Sequence, residues 1–213
     1  MVDTNEASLS ATVKAYDDIA PEYIEFIGDG LASLPFDHSV LAAFAGLVRQ
    51  DGSGLVGDLG CGPGYIARHL RDLGIDVFGV DLSTRFIEHA RSRYPDIEFS
   101  LGSIAALDTA DNTLGGIVSW YSIIHAPPAE VPGYLAEFHR VLALGGYLLL
   151  AFFESEGGPV APYDHRVTTA YRWPIDGLME VARAAGFAEV GRMLRRPLEG
   201  ERFQRGHLIL RKI

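Results

Sequence analysis

Val56-Gly57-Asp58-Leu59-Gly60-Cys61-Gly62-Pro63-Gly64 is the stretch that decides the fold. Leu55 to Leu59 is a short apolar run ending in glycines, which predicts a buried strand. Ile66, Leu70 and Leu73 follow at i, i+4 and i+7 and mark one face of a helix. Strand, glycine turn and helix form the opening unit of an open parallel sheet, whose ligands bind beyond the carboxyl ends of the strands. Glycines at such a turn allow φ > 0 and let a ligand lie against bare backbone. Backbone N–H groups at the helix start then face that ligand.

The pattern repeats outward from this unit. Asp76 to Asp81 reads as a second strand, and Phe86, Ile87, Ala90 and Tyr94 mark a second helix. Ile97 to Leu101 and Gly115 to Tyr121 read as third and fourth strands. Val131, Tyr134, Leu135, Phe138, Val141 and Leu142 give the cleanest helical stripe, which Gly145-Gly146 is expected to stop before a fifth strand from Tyr147 to Phe153. Alternation of strand and helix over 54–153 implies parallel strands joined by right-handed crossovers. Upstream, Val13, Tyr16, Ala20, Tyr23, Ile24 and Ile27 recur at helical spacing, and Pro21 is expected to split them into helices near 8–19 and 21–28. A further helix is expected over 38–49. Downstream, Ser155 to Pro162 has loop chemistry, followed by a helix near 174–185 and strands near 187–194 and 203–212. The expected organisation is one domain: a helical cap over 1–50, a cofactor-binding core over 54–153, a lid loop over 154–173, and a helix with a β-hairpin over 174–213.

Bulk properties bound the function. The chain has 213 residues, of which 48% are hydrophobic and 22% charged, which is globular composition. A single cysteine, Cys61, forms no internal disulfide and suits a reducing cytoplasm. The first residues lack a basic segment followed by an apolar run, unlike a secretory signal, and the longest apolar run, Tyr147 to Phe153, is too short to span a bilayer. A formal net charge of −10 argues against a polynucleotide partner. The expected partner is a small molecule, with no membrane or nucleic acid involved, and the protein a monomer or homodimer.

Two nucleotide ligands suit the glycine turn. A dinucleotide turn wants G-x-G-x-x-G, but Tyr65 stands where its third glycine belongs. The sequence instead reads D-x-G-x-G-x-G. The leading carboxylate, Asp58, makes little sense beside a pyrophosphate and good sense beside a cationic amino-acid moiety such as that of S-adenosylmethionine. Asp81 closes the second strand, 21 residues beyond Gly60, where a carboxylate accepts hydrogen bonds from both ribose hydroxyls of an adenosine. NAD proteins share that device, so Asp81 by itself indicates an adenosine ligand. The plainer alternative is an acid near a helix start capped by Ser83.

DLGCGPG (58–64), GVDLS (79–83), GSI (102–104), WYSIIH (120–125) and RVLALGGYLLL (140–150) together resemble the class I S-adenosylmethionine-dependent methyltransferases. The resemblance spans about 100 central residues in the family's order. It implies a Rossmann-like α/β fold: a seven-stranded, mostly parallel sheet with helices on both faces and an antiparallel C-terminal hairpin strand. It implies S-adenosylmethionine as cofactor and Gly102, Ser103 and Ile104 around the adenine. Many members carry an acid where this chain has Ser103. AYDDIAPEY (15–23) looks like the segment that small-molecule members fold over the cofactor, and WYSIIH with AYRWP (170–174) resembles a subgroup of small bacterial members.

The expected cofactor set is Tyr16, Asp58, Gly60, Cys61, Gly62, Gly64, Asp81, Leu82, Ser103, Ile104 and Tyr121, with the rings of Tyr16 and Tyr121 near the sulfonium. Cys61 fills a small-residue slot and is not expected to act as a nucleophile. His125 ends WYSIIH where the fourth strand gives way to loop, and is the candidate base; its plainer role is to hold the loop. Tyr163, His165 and Tyr171 are expected to join His125 around the substrate. No spaced His or carboxylate set suggests a metal. Eight of the 18 Lys and Arg residues fall between Arg183 and Lys212, which suits a solvated hairpin or an anionic substrate. An NAD-dependent oxidoreductase, a polynucleotide or protein methyltransferase, and a non-catalytic S-adenosylmethionine-binding protein are the competing readings. The first lacks glycine at 65. The second usually carries N/D-P-P-Y/F after the fourth strand, where this chain has Ser119-Trp120-Tyr121-Ser122.

Overall fold

A computed structural model of the chain describes residues 4–28, 34–52, 54–165 and 167–213. The expected cap over 1–50 is therefore described except at 1–3 and 29–33, and the expected lid except at Arg166; those residues lie outside the described ones. The chain runs through α1 (Thr4–Ile27), α2 (Pro35–Gln50), β1 (Val56–Leu59), α3 (Tyr65–Asp72), β2 (Val77–Asp81), α4 (Thr84–Arg93), β3 (Glu98–Leu101), β4 (Leu114–Trp120), a 3₁₀ turn (Ile123–His125), α5 (Val131–Val141), β5 (Leu142–Phe153), β6 (Ala161–Asp164), β7 (Thr169–Arg172), α6 (Ile175–Ala184), β8 (Phe187–Arg195) and β9 (Arg205–Lys212).

Seven strands form one sheet in the order β3-β2-β1-β4-β5-β9-β8. The first five are parallel, and β9 enters antiparallel between β5 and β8. Side chains alternate across the sheet with the period of two that a strand imposes. Leu148, Leu150 and Phe152 join the core under α5 and α6. Tyr147, Leu149 and Ala151 join the core under α2, α3 and α4. Both faces of the central strands are thus covered, which explains why they read as continuous apolar runs. The chain leaves β1 for β2 on one side and returns to β4 on the other, so the strand order reverses between β1 and β4. The crevice that this reversal opens lies at the carboxyl edge.

Three sequence expectations need correction. Pro21 does not divide the first helix; α1 runs unbroken across it. Pro21 only forfeits its bond to the carbonyl four residues back, while Tyr16 and Tyr23 on either side pack on Phe86 of α4 at 5.9 and 5.3 Å between ring centres. Gly145-Gly146 does not separate α5 from the fifth strand. The helix ends at Val141, and β5 begins at Leu142, pairing with Leu114 before a register shift absorbs the glycines. The segment over 154–173 is not an irregular loop: β6 and β7 pair as an antiparallel ribbon, Ala161 opposite Arg172 through Asp164 opposite Thr169.

Glu154 anchors that ribbon. It is 3% exposed. The Ile175 N–H donates to its Oε1 at 3.0 Å at the start of α6, and the Glu156 N–H donates to its Oε2. Ser155 N–H donates to Trp173 O at 3.1 Å and Trp173 N–H to Phe153 O at 2.9 Å, closing the base of the excursion. Glu154→Ala strands two backbone donors, and we expect a loss of about 2 kcal/mol. For a domain of this size that is a fall of roughly 4–8 °C in Tm by thermal denaturation. Glu154→Gln keeps an acceptor and should lose clearly less; an unchanged Tm in the alanine variant would remove the anchoring role.

Candidate functional site

Gly60, Gly62 and Gly64 all have positive φ, at 77°, 51° and 87°. That alternation folds the turn back on itself. The N–H groups of Gly60 and Cys61 both donate to Val80 O, at 2.8 and 3.0 Å, and tie the turn to the end of β2. The three glycines serve different ends. A Cβ at Gly60 would lie 2.3 Å from Ser122 Cβ, so bare backbone lets β1 and the loop after β4 touch. A Cβ at Gly64 would meet the Phe99 ring at 2.8 Å, so that glycine seats α3 against the sheet. A Cβ at Gly62 would meet nothing within 4 Å. Of the three, only Gly62 keeps open space clear, and it lines a cavity.

The cavity has a volume of about 830 Å³ and runs along the carboxyl edge of the sheet, within the size range of small-ligand sites. Gly60, Gly62, Asp81, Leu82, Ser103 and Ile104 line one end. Tyr16, Tyr121, His125, Tyr163 and His165 line it further along. Eleven expected residues thus meet around one space. Asp58, Cys61, Gly64 and Tyr171 do not line it. Asp58 is fully buried behind the turn, where Ala67 N–H donates to its Oδ2 at 2.9 Å and fixes the first turn of α3. Burial drives its pKa up to about 8, against the pull of the Ala67 N–H and with a further push from the Asp81 charge. Its Oδ1 is buried with no hydrogen-bond partner among the described residues. Cys61 is 4% exposed and packs in the core behind the turn, and Tyr171 packs on the core under α5 and α6. Burial pushes the Cys61 thiol well above its ordinary pKa, consistent with an inert side chain.

Asp81 stands at the start of a helix capped by Ser83, the plainer of the two roles weighed for it. Its Oδ2 accepts from Gly62 N–H and its Oδ1 from Ser83 N–H, each at 2.8 Å. Ser83 caps α4 by accepting from Phe86 N–H at 3.1 Å. Ser83 Oγ also donates to Asp17 Oδ1 at 2.5 Å, which pins α1 over the end of β2. Burial raises the Asp81 pKa, against those backbone donors. Among the described residues the carboxylate has only backbone partners at hydrogen-bond distance, and each oxygen retains lone-pair capacity. A ligand with hydroxyl donors and positive charge fits this end: an acid accepts there, and the one glycine whose Cβ would fill the cradle has none.

His125 sits where three segments converge. Its Nδ1 lies 2.8 Å from Thr169 O of β7. A carbonyl only accepts, so Nδ1 carries the proton. Nε2 is then an acceptor in the neutral ring and takes the Tyr16 hydroxyl proton in a 2.8 Å hydrogen bond. Burial lowers the His125 pKa, against the Thr169 bond. Burial also raises that of Tyr16 well above its ordinary value. Both groups therefore rest neutral at pH 7. Tyr121, the residue after β4, has φ of 53°, uncommon for a residue with a side chain. That bend sets its ring against Phe153 at 5.1 Å between centres.

Sequence reasoning missed the far end of the cavity, where Phe153, Arg195, Glu201, Arg202, Phe203 and Arg205 line the wall. The signal was present. A final strand antiparallel to β5 must start at β5's carboxyl end, which brings the β8–β9 connection to the ligand edge. Among the described residues no group of three or more His, Cys, Asp or Glu gathers to hold a metal. No described helix is long and apolar enough to cross a membrane.

A methyltransferase-domain family model matches residues 56–146. A demethylmenaquinone methyltransferase of Beutenbergia cavernae is 32% identical over 70% of this chain and 60% of its own length. A probable S-adenosylmethionine-dependent methyltransferase of Mycolicibacterium smegmatis is 29% identical over 61% of this chain and 50% of its own. The chain thus spans half to three fifths of the length of these curated relatives. The crystal structure of a Burkholderia thailandensis 1,6-didemethyltoxoflavin-N1-methyltransferase, with bound 1,6-didemethyltoxoflavin and S-adenosylhomocysteine, shares the fold. Its TM-score is 0.68 at 22% identity, covering 91% of this chain and 87% of that one. Over its central residues the chain is thus similar to S-adenosylmethionine-dependent methyltransferases, and it shares their fold.

The glycines give a paired test. Gly62→Ala puts a methyl group into the cavity and costs about 1–2 kcal/mol of left-handed strain. We expect a folded protein whose S-adenosylhomocysteine affinity, by calorimetry, falls at least tenfold. Gly60→Ala adds a backbone-region clash at Ser122 to similar strain, and we expect it to lose substantially more stability than Gly62→Ala. Normal binding by Gly62→Ala would place the ligand elsewhere.

Proposed function

We propose that this chain transfers the methyl group of S-adenosylmethionine to an O, N, S or C nucleophile of a small molecule, by in-line displacement. The observation that carries the reading is one cavity with Gly62 and Asp81 at one end and the Tyr16–His125 pair on its wall. When bound, the cofactor supplies an already activated sulfonium methyl group, so the protein's work is alignment and desolvation. Asp81 accepts from the ribose hydroxyls, Gly60 and Gly62 offer bare backbone, Leu82, Ser103 and Ile104 receive the adenosine, and Tyr121 and Tyr16 offer aromatic faces to the positive sulfur. Asp58, Cys61 and Gly64 support the turn from behind. Tyr163 and His165 wall the acceptor, with Tyr171 behind them.

His125 is the base, and it works through Tyr16. The Tyr16 oxygen takes the proton of the nucleophile as its own proton passes to His125 Nε2. Nδ1 already carries a proton, so the ring becomes imidazolium, and Thr169 O holds its Nδ1–H. Tyr16 never bears a full charge, which suits a phenol whose ionisation is disfavoured by burial. A base of this kind contributes roughly 10²–10⁴ in rate. The reading extends to a cytoplasmic monomer or homodimer that uses neither nucleic acid nor membrane, supported by the charge of −10 and the lone, buried cysteine.

S-adenosylhomocysteine should raise the melting temperature and NADH should not. Asp81→Ala should weaken cofactor binding by about 3 kcal/mol, roughly 150-fold, because two hydrogen bonds to a charged acceptor are lost. Unchanged affinity would sink the ribose assignment. Mass spectrometry after incubation with labelled cofactor and cell extract should reveal a methylated small molecule.

His125→Ala and Tyr16→Phe should each lower kcat about 10²-fold or more while leaving cofactor affinity within a few-fold. Equal losses in both quantities would make the pair structural. The neutral imidazole is the active form and its pKa lies below the ordinary 6.5. Turnover should therefore rise with pH through a pKa under 6.5 and be level at neutral pH.

A further inference from the structure

We propose that the methyl acceptor is a flat, conjugated small molecule carrying a carboxylate-class anion at the end opposite its nucleophile, with Arg202 and Arg205 as the anion site and Tyr121, Phe153, Tyr163 and Phe203 as the stacking walls. This rests on the methyltransferase reading and names the substrate class for the same cavity.

Charge is divided along the cavity. Away from the β8–β9 connection the carboxylates lining the cavity are Glu22, Asp81 and Glu130, and no described Lys or Arg lines it there. At the other end are Arg195, Arg202 and Arg205 with Asp37 and Glu201. From Asp81 on β2 to Arg205 on β9 the sheet steps across four strand intervals, a span of roughly 19 Å. An acidic end suits a cationic cofactor. The basic end is an island in a chain of net charge −10.

Among the described residues that line the basic end, the pairing leaves one cation over. Arg195 is 5% exposed and is taken up twice. It meets Asp37 at 3.2 Å and both oxygens of Glu201 at 2.7 and 2.9 Å. Glu201 is spent on that fork and reaches Arg205 only at 3.3 and 3.4 Å. Arg202 gives one N–H to Asp164 O at 2.8 Å. Two carboxylates of the described lining thus face three guanidiniums, and the surplus charge rests on Arg202 and Arg205. A carboxylate suits the planar fork that each offers.

Those guanidiniums also sit over rings. Arg205 sits 4.3 Å from the Phe153 centroid and 5.3 Å from that of Tyr121. Arg202 sits 5.0 Å from Phe203 and 5.8 Å from Tyr163. Phe153, Tyr163 and Phe203 contact one another edge to face. A wall of flat groups selects a flat ligand. The hydroxyls of Tyr121 and Tyr163 are buried with no hydrogen-bond partner among the described residues, a cost that polar edges of a ligand would relieve.

The test uses the full chain saturated with S-adenosylhomocysteine. Binding of hydroxybenzoate, dihydroxybenzoate, hydroxycinnamate and hydroxynaphthoate is measured by calorimetry beside their primary carboxamides, which match them in shape and lack the charge. We expect at least one carboxylate to bind tenfold or more tighter than its amide, with a preference that shrinks as salt rises. Arg202→Gln should cut that preference at least threefold, and Arg205→Gln should bring acid and amide within about twofold. S-adenosylhomocysteine affinity should stay unchanged in both. Arg202 is exposed, so its variant tests the site even if Arg205→Gln disturbs the buried Glu201 cluster. Equal binding of acids and amides, no binding of any acid, or a preference untouched by both variants overturns the anion site while leaving the cofactor reading intact. Failure of S-adenosylhomocysteine itself to bind overturns the cofactor reading instead.

Discussion

Val80 O accepts two N–H groups, from Gly60 at 2.8 Å and Cys61 at 3.0 Å, and that double bond of turn to strand holds the rest of the edge in place. It can form only if the chain reverses within two residues of leaving β1, which the positive φ of Gly60 permits. The reversal brings Gly62 N–H to Asp81 and closes bare backbone onto Ser122. β1, β2 and the loop after β4 are thereby joined at one point. Everything that lines the cavity is placed relative to it.

The core builds the cofactor end, and appended segments build the acceptor end. Consecutive residues of α1 make separate attachments: Tyr16 to His125 and Asp17 to Ser83. The β6–β7 ribbon reaches the same histidine through Thr169, and Arg202 of the β8–β9 connection reaches back to the ribbon through Asp164 O. These contacts are polar and local, whereas the sheet rests on two continuous apolar cores. A fold divided in this way can keep its cofactor chemistry while its acceptor changes, because the segments that meet the acceptor contribute little to the central packing.

The cofactor end was legible in the sequence because its determinants are local. D-x-G-x-G-x-G needs alternate residues of positive φ, and few residues other than glycine take that conformation readily. Asp81 ends a strand whose apolar pattern is plain. Where the sequence misled, tertiary packing outweighed a local preference. Pro21 costs α1 one hydrogen bond, and burial of Tyr16 and Tyr23 against Phe86 offsets it. Ser155 to Pro162 has turn chemistry, yet its last residues pair across the ribbon once Glu154 and Trp173 close the base. Asp58 and Cys61 belong to the motif by sequence and stand behind it in space, both buried under the turn as it folds back on itself.

The basic end escaped because it is a property of topology. Nothing within residues 195–205 separates a ligand wall from a solvated hairpin, since Arg, Glu and Phe occur in both. The distinction comes from where the hairpin lands. β9 pairs antiparallel with β5, and Phe153, the last residue of one, lies opposite Arg205, the first of the other. That single register sets a guanidinium beside the ring that ends β5, at the edge where the glycine turn opens. One residue of slip would turn Arg205 to the opposite face of the sheet. His207 and Ile209 alternate with Leu208 and Leu210 along β9, and the apolar ones divide between the two cores in that order. The burial of the strand's interior therefore fixes which way the charge at its start must point, and the composition of the acceptor site follows from the packing of a core far from it.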